Sequence, residues 1–243
     1  MWNGKNKAVS FSFDDGVSQD RRLVEILNKY GLKATFNLCS AWLGNPEKRD
    51  ETGRRITNGK VFPGEVRSLY AGHEVAGHAL THPDLTQLPD ETIAYQAERD
   101  RLILSDLCGV EVVGFAYPYG AVNERVAHIL KTQTGIKYAR TVESSRNFAK
   151  QSDLILFKPT EYFMNTESLF SLAEAFLNAP DDGEDRLFYI WGHAYELDGE
   201  NGISWEKFED FCRLLAELTA RALFVIRLGP FLGRLGLEIL RHE

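Results

Sequence analysis

Asp14 and Asp15 stand side by side directly after the β-rich run Lys7 to Phe13, and His78 and His82 stand four residues apart just past another such run. Neighbouring residues at a strand end point in different directions, so one carboxylate can bind a metal while the other handles protons. Two imidazoles at i and i+4 fall on one side of a helical turn, where both can reach one divalent ion. Asp15 as a third ligand would leave coordination positions open for water and substrate, which is how a catalytic metal site differs from a structural one. Plainer readings stand beside these: an Asp-Asp-Gly turn with a capping role, and a histidine pair spaced by coincidence.

Two further clusters sit at strand ends. Phe115-Ala116-Tyr117-Pro118-Tyr119-Gly120 offers aromatic faces that could stack on a sugar and a rigid turn that could present a backbone N–H to an oxyanion, or it is a hydrophobic turn. Trp191-Gly192-His193-Ala194-Tyr195 ends another strand in a histidine. Near a hydrolytic metal such an imidazole is the natural proton donor to a leaving group; alone it would be structural.

The elements that must position these residues alternate. Strands are predicted at Lys7 to Phe13, Ala34 to Leu38, Gly72 to His78, Val110 to Tyr117, Ile136 to Thr141 and Leu187 to Trp191, with Leu154 to Phe157 a further short element. Helices are predicted from a Ser18 cap to Gly31, shortly after Pro63, and over Asp90–Leu107, Asn123–Thr132, Thr166–Ala179 and Ser204–Ala220. Gly44 to Lys60 reads as an exposed loop or hairpin. Strands alternating with helices imply a parallel sheet, flat or closed into a barrel, whose carboxyl ends gather residues from distant parts of the chain. No linker, repeat or low-complexity segment divides residues 1–243, so one domain is expected.

Composition agrees with a single globular α/β domain: 243 residues, 44% apolar, 35 acidic against 28 basic groups and a formal charge of −7. That balance argues against a nucleic-acid partner, which calls for a basic face. Cys39, Cys108 and Cys212 are odd in number and set in apolar surroundings, so buried thiols are expected rather than a disulfide framework. The Leu- and Phe-rich run from Ala222 to Leu240 is interrupted by Arg227, Pro230 and Arg234. It falls short of the ~20 uninterrupted apolar residues of a membrane span, and no membrane association is expected.

Taken in order, the four clusters resemble the polysaccharide deacetylases with a NodB homology domain, carbohydrate esterase family 4. Ser12-Phe13-Asp14-Asp15-Gly16 is similar to that family's (T/S)FDDG motif. His78-Ala79-Leu80-Thr81-His82 is similar to its H(S/T)xxH motif, with Ala79 where a small hydroxyl residue is usual. Phe115 to Gly120 resembles the third motif, and the apolar run Leu187 to His193 the last; the likeness spans roughly residues 7–195. It implies a distorted (β/α) barrel and hydrolysis of an acetyl group from an N-acetylated oligo- or polysaccharide. It casts Asp14 as general base, His193 as general acid, and Asp15, His78 and His82 as ligands of a divalent metal, generally zinc, with cobalt, manganese or nickel as alternatives. The metal would polarise the acetyl carbonyl and acidify a water, and the Tyr119 backbone N–H would help hold the oxyanion.

The chain departs from the family at two points. The third motif usually carries an arginine that tethers the catalytic aspartate, and Ala116 stands there; Arg140, ending the strand from Ile136, is the candidate replacement, holding Asp14 by a bidentate pair. No counterpart is found for the Asp-Trp pair that often adjusts the acid histidine. His73 reads as a satisfied core or outer-layer histidine, Glu74 and Glu196 as solvated or capping, Trp191 equally as pocket lining or core, and Arg49, Arg54 and Arg55 as a solvated loop. The 221–243 segment is Leu/Arg/Gly-rich where the family tends to close with a strand and a polar turn. The rivals are an O-acetyl esterase on acetylated xylan, a ring-opening hydrolase of a small cyclic amide, and a sugar-binding pseudoenzyme. No export signal is read at the amino terminus, so a cytoplasmic location and a soluble saccharide are expected.

Overall fold

In the computed structural model, which describes residues 6–199, 202–219 and 223–225, both faces of the first strand are buried. That strand, β1 (Lys7–Asp14), is followed by α1 (Asp20–Lys29), β2 (Ala34–Leu38) and a hairpin of β3 (Lys48–Arg49) and β4 (Arg55–Thr57). A 3-10 turn at Pro63–Glu65 leads into the short α2 (Val66–Leu69), then β5 (Glu74–Gly77), the long α3 (Asp90–Cys108) and β6 (Gly114–Ala116). The order continues with α4 (Glu124–Gln133), β7 (Tyr138–Arg140), β8 (Glu161–Tyr162), α5 (Thr166–Asn178), β9 (Arg186–Gly192), α6 (Trp205–Thr219) and β10 (Leu223–Val225).

The main sheet runs β7-β6-β5-β2-β1-β9-β8, every pair parallel, with β10 also on β1. It curls into a distorted (β/α) barrel. The end strands β7 and β8 do not pair with each other; a parallel bridge between Arg140 and Phe157 stands in the gap.

Buried parallel strands usually read as continuous apolar runs, whereas β1 alternates. Val9, Phe11 and Phe13 face a core shared with Phe36, Phe188, Ile190, Phe208 and Phe211. Ser12 and Asp14 face inward, where Asn37 and Arg140 meet them. One face is therefore an apolar layer under helices and the other a polar lumen. The apolar layer is tight around Phe13, whose ring lies 6.0 Å from Phe36, 5.9 Å from Phe163 and 6.0 Å from Phe208.

Several boundaries move. Strand pairing keeps only Gly114–Ala116 of Val110 to Tyr117 and Tyr138–Arg140 of Ile136 to Thr141, because the flanking residues have no parallel neighbour in register. Leu154 to Phe157 is not a strand and contributes the single bridge. The two-residue β8 had no signal long enough to read. Ser18 does not cap α1: its N–H donates to Gly59 O (2.7 Å) and Gln19 takes the cap position. Leu223–Val225 pairs with Lys7–Val9, so a strand lies inside the segment read as atypical; residues 226–243 lie outside the described residues. Cys39 and Cys212 are buried thiols and Cys108 is half-buried. Among the described residues no helix is long and apolar enough to cross a membrane.

Gly192, the last residue of β9, is where the apolar layer touches the site. A Cβ there would lie 1.8 Å from the Phe163 ring. Gly192→Ala is expected to destabilise the fold by about 1–3 kcal/mol through overpacking, measured as a lower denaturant midpoint with an unchanged m-value.

Candidate active site

Asp14 and Asp15 at the end of β1, His78 and His82 after β5, Tyr119 after β6, Arg140 at the end of β7 and His193 after β9 all lie at carboxyl ends of parallel strands. One ligand atom from each of Asp15, His78 and His82 falls within 4.8 Å of the others. The two Nε2 atoms are 3.1 Å apart, and His82 Nε2 lies 3.8 Å from Asp15 Oδ1. Residues 78–82 are not the helical turn expected from the spacing. Ala79 (φ 60°) and His82 (φ 54°) are left-handed, and this tighter turn is what points both rings at one place.

Each imidazole is prepared differently. His78 Nδ1 donates to the Ala116 carbonyl (2.8 Å), which leaves Nε2 with a free lone pair. His82 Nδ1 has no hydrogen-bond partner among the described residues; its ring is held between Trp42 (5.1 Å) and Tyr119 (4.4 Å). Burial, helped by the neighbouring His78, pushes the His82 pKa down to about 4, and burial lowers that of His78 as well. Both are therefore neutral at neutral pH, the form that binds metals. Asp15 Oδ1 is buried without a hydrogen-bond partner among the described residues. An orphaned carboxylate oxygen beside two neutral imidazoles whose Nε2 atoms converge at 3.1 Å fits a divalent cation.

Asp14 is 2% exposed and Arg140 is fully buried. Arg140 Nη2 donates to both carboxylate oxygens of Asp14, at 2.6 Å for Oδ1, and Nε donates to Ser12 Oγ (3.1 Å). The pair forms as expected, but through one guanidinium nitrogen rather than a two-nitrogen fork, since Nε and Nη1 are taken by Ser12 and the Thr141 carbonyl. Asn37 Nδ2 donates to Asp14 Oδ1 (2.7 Å). Arg140 can replace an arginine at position 116 because Ala116 and Arg140 are register partners on adjacent strands. Burial alone would raise the Asp14 pKa; Arg140, His78 and His193 outweigh it and hold it at about 2. Trp191 lies against the Arg140 guanidinium (4.6 Å), so it lines the site.

His193 Nδ1 is 3.2 Å from Glu196 Oε2, off line for a hydrogen bond but within ion-pair reach. The backbone N–H of His193 donates to the same oxygen (2.9 Å), and the Tyr162 hydroxyl donates to Oε1. Burial works against a charged imidazole here, yet Glu196, with Asp14 and Asp15 further off, raises the His193 pKa above its ordinary value. Glu196 is therefore neither solvated nor merely capping. Its signal was a His-x-x-Glu spacing across the 3-10 turn Ala194–Asp198.

Other polar residues also support the site. Glu74 is buried in the lumen, accepting from Thr35 Oγ1 (2.9 Å) and Tyr138 OH (2.8 Å). Asp100 accepts from the backbone N–H groups of Ser40 (2.7 Å) and His78 (2.9 Å), tying two site loops to α3. Lys60 ends the stretch read as exposed, yet its ammonium lies 3.9 Å from Asp15 Oδ2. His73 is buried, as read, accepting from the Ala34 N–H. Arg49 and Arg54 are solvated, whereas Arg55 bonds Asp198 (3.0 Å) and anchors the hairpin to the turn after His193.

A parallel barrel with one carboxylate–imidazole cluster at its strand ends sets the class of the molecule. The chain belongs to the polysaccharide deacetylase family, whose model matches residues 3–139. It is 24% identical over 207 residues to a bifunctional xylanase/deacetylase of Pseudobutyrivibrio xylanivorans, covering 80% of this chain and 31% of that protein. It is 30% identical over 125 residues to the peptidoglycan-N-acetylglucosamine deacetylase of Listeria monocytogenes, covering 50% of this chain and 23% of that protein. The chain thus spans a third or less of the length of these curated relatives. In fold it is similar to a family 4 carbohydrate esterase from Streptomyces lividans in complex with acetate, with a TM-score of 0.57, 18% identity and coverage of 93% and 95% of the two chains. It is also similar to a family 4 pseudoenzyme from Bacillus anthracis, with a TM-score of 0.58, 17% identity and coverage of 93% of this chain and 66% of that one.

The Asp14–Arg140 pair can be tested by a double-mutant cycle. Arg140→Gln alone leaves a buried carboxylate without its charge partner and is expected to cost about 3–5 kcal/mol at neutral pH. Asp14→Asn with Arg140→Gln is expected to recover part of that loss, measured by denaturant unfolding. A depressed carboxylate pKa stabilises the fold above its unfolded value and ceases to do so as pH falls through the folded one, so the coupling should fade from about pH 4 downward.

Proposed function

We propose that this chain is a metal-dependent deacetylase of N-acetylated saccharides. The observation that carries the reading is a fixed carboxylate, Asp14, adjoining the Asp15–His78–His82 cluster at the same strand ends as His193, whose Nδ1 faces Glu196. Asp15, His78 and His82 would hold a divalent ion, which would supply Lewis acidity to the acetyl carbonyl and to the attacking water.

The protein's own groups do the remaining work. Arg140 and Asn37 hold the Asp14 carboxylate ionised and oriented, with Oδ2 turned toward His78 (3.9 Å) as the acceptor of the water's proton. The Tyr119 backbone, whose φ of 59° comes with a turn beside His82, supplies an N–H for the oxyanion. His193 carries the proton to the departing nitrogen from Nε2 while Glu196 faces Nδ1; an amine leaves only once protonated. The exposed Tyr119 supplies a ring face on which a sugar can stack.

Similarity of fold does not decide activity, since one structural neighbour is a pseudoenzyme. In this chain Asp14, Asp15, His78, His82 and His193 are all present. Two relatives are named for N-acetylated polymers, a peptidoglycan-N-acetylglucosamine deacetylase and a chitin deacetylase, which supports an amide over an ester as substrate.

Acetate release should be measured on N-acetylglucosamine oligomers and acetyl-xylan, and ring opening on cyclic imides, with chelator and then with zinc or cobalt restored. Acetate from the oligomers that chelator abolishes and metal restores is the expected result; a metal-free protein with unchanged turnover would refute it. His193→Ala is expected to lower kcat by about 10²–10⁴-fold. Glu196→Gln removes the charge that raises the His193 pKa, so the acid loses its proton at lower pH. The alkaline limb of the kcat profile should move to lower pH; an unmoved limb would separate Glu196 from the acid.

A further inference from the structure

Lys60 comes to the cluster from the far end of the long segment after β2. That segment folds back on the Asp14-Asp15-Gly16 turn: the Val61 N–H donates to Gly16 O (2.9 Å), the Ser18 N–H to Gly59 O (2.7 Å), and Val17 and Lys60 form an antiparallel bridge. The backbone of Lys60 is further fixed by donation to Asn45 O (2.9 Å). From this anchored position the side chain, 10% exposed, runs inward, with its ammonium 3.9 Å from Asp15 Oδ2 and 5.1 Å from the Trp42 ring centre.

The two oxygens of Asp15 therefore have different surroundings. Oδ1 faces His82 Nε2 (3.8 Å) and carries no hydrogen bond among the described residues, while Oδ2 faces Lys60. We propose that Lys60 is a built-in counter-cation of the metal cluster. It reserves Oδ1 as the single metal-binding oxygen of Asp15, balances the Asp15 charge when no ion is bound, and weakens the hold of the cluster on a divalent ion. The inference rests on the metal reading above and concerns a residue outside the ligand set.

The direction follows from the distance. A hydrogen-bonded outer partner orients a ligand, and its removal weakens metal binding. At 3.9 Å the ammonium is too far to donate a normal hydrogen bond and acts as a fixed positive charge. Its interaction with a cation at the same carboxylate is repulsive, and the low exposure of the site limits screening. The cation–π approach to Trp42, whose ring packs on His82, holds the ammonium on this side of the cluster.

Zn²⁺ affinity of the full chain, measured by competition with a chromophoric chelator, tests this together with the visible spectrum of the Co²⁺ form. Lys60→Met keeps the length of the side chain and its packing on Trp42 while deleting the charge. It is expected to bind Zn²⁺ at least about tenfold more tightly than wild type, and Lys60→Arg within about threefold of it. The Co²⁺ spectrum of Lys60→Met should change where that of Lys60→Arg does not, reporting the release of Oδ2. Equal or weaker Zn²⁺ binding by Lys60→Met in a folded protein overturns the counter-cation. Absence of Zn²⁺ binding by wild type and both variants overturns the metal reading itself.

Discussion

Asp14 and Arg140 meet where water does not reach, and much of the molecule is arranged around that meeting. A carboxylate and a guanidinium taken out of water lose hydration that their mutual attraction barely repays, so every remaining donor and acceptor must find a partner. Ser12 and Asn37 on the first two strands supply them, and so does the Thr141 carbonyl. Because Arg140 lies 126 residues from Asp14, the pair joins β1 to the strand at one end of the sheet order. That contact runs across the barrel. What it supplies is a carboxylate with one orientation and one protonation state.

The polar lumen is affordable because the other face of the same strands carries the hydrophobic energy. Phe11, Phe13, Phe36, Phe163, Phe188 and Phe208 form a nearly continuous aromatic layer beneath α1, α5 and α6. That layer also supports backbone strain at the site. Of the five non-glycine residues with positive φ among the described residues, Asp15, Ala79, His82 and Tyr119 all border the cluster. Such conformations cost about 1–2 kcal/mol each and persist only where packing over-determines them. Asp100 contributes by clamping the Ser40 and His78 backbones, and Gly192 by letting Phe163 press against the strand that ends in His193.

What the sequence disclosed and what it hid divide along a physical line. Local signals were readable: β2 was placed at its observed bounds, the strand-end carboxylates and the i, i+4 histidines converge, and the absence of an arginine at 116 directed attention to Arg140. Interactions that depend on curl or non-local register were not. Alternation of the kind β1 shows ordinarily means one wet face; only the curl of the sheet makes the second face a buried polar interior, and Glu74 on β5 lies in that interior rather than in solvent. Lys60 was hidden by its antiparallel bridge to Val17, a pairing between a polar loop and a turn that no period announces. Glu196 was legible in spacing alone, but a 3-10 turn, not a helix, brings it under His193, and that geometry had no signature of its own.

Two adjacent aspartates in a low-dielectric site would ordinarily disturb each other, one raised toward protonation by the charge of its neighbour. Here each faces a different cation brought from elsewhere in the chain. Arg140 is bonded directly to Asp14 and drives its pKa down, while Lys60 stands back from Asp15 and leaves one oxygen bare. The difference in distance is the difference in role. A carboxylate saturated with hydrogen bonds from a guanidinium and an amide has little left to give a metal but keeps an oxygen edge for a proton. A carboxylate balanced only at arm's length keeps one oxygen bare toward the two imidazoles, though the same charge tempers its pull on a cation. Identical side chains at consecutive positions are thus made chemically unlike by the reach of their counter-ions, and the opposite pointing of neighbouring strand-end residues is what keeps those counter-ions apart.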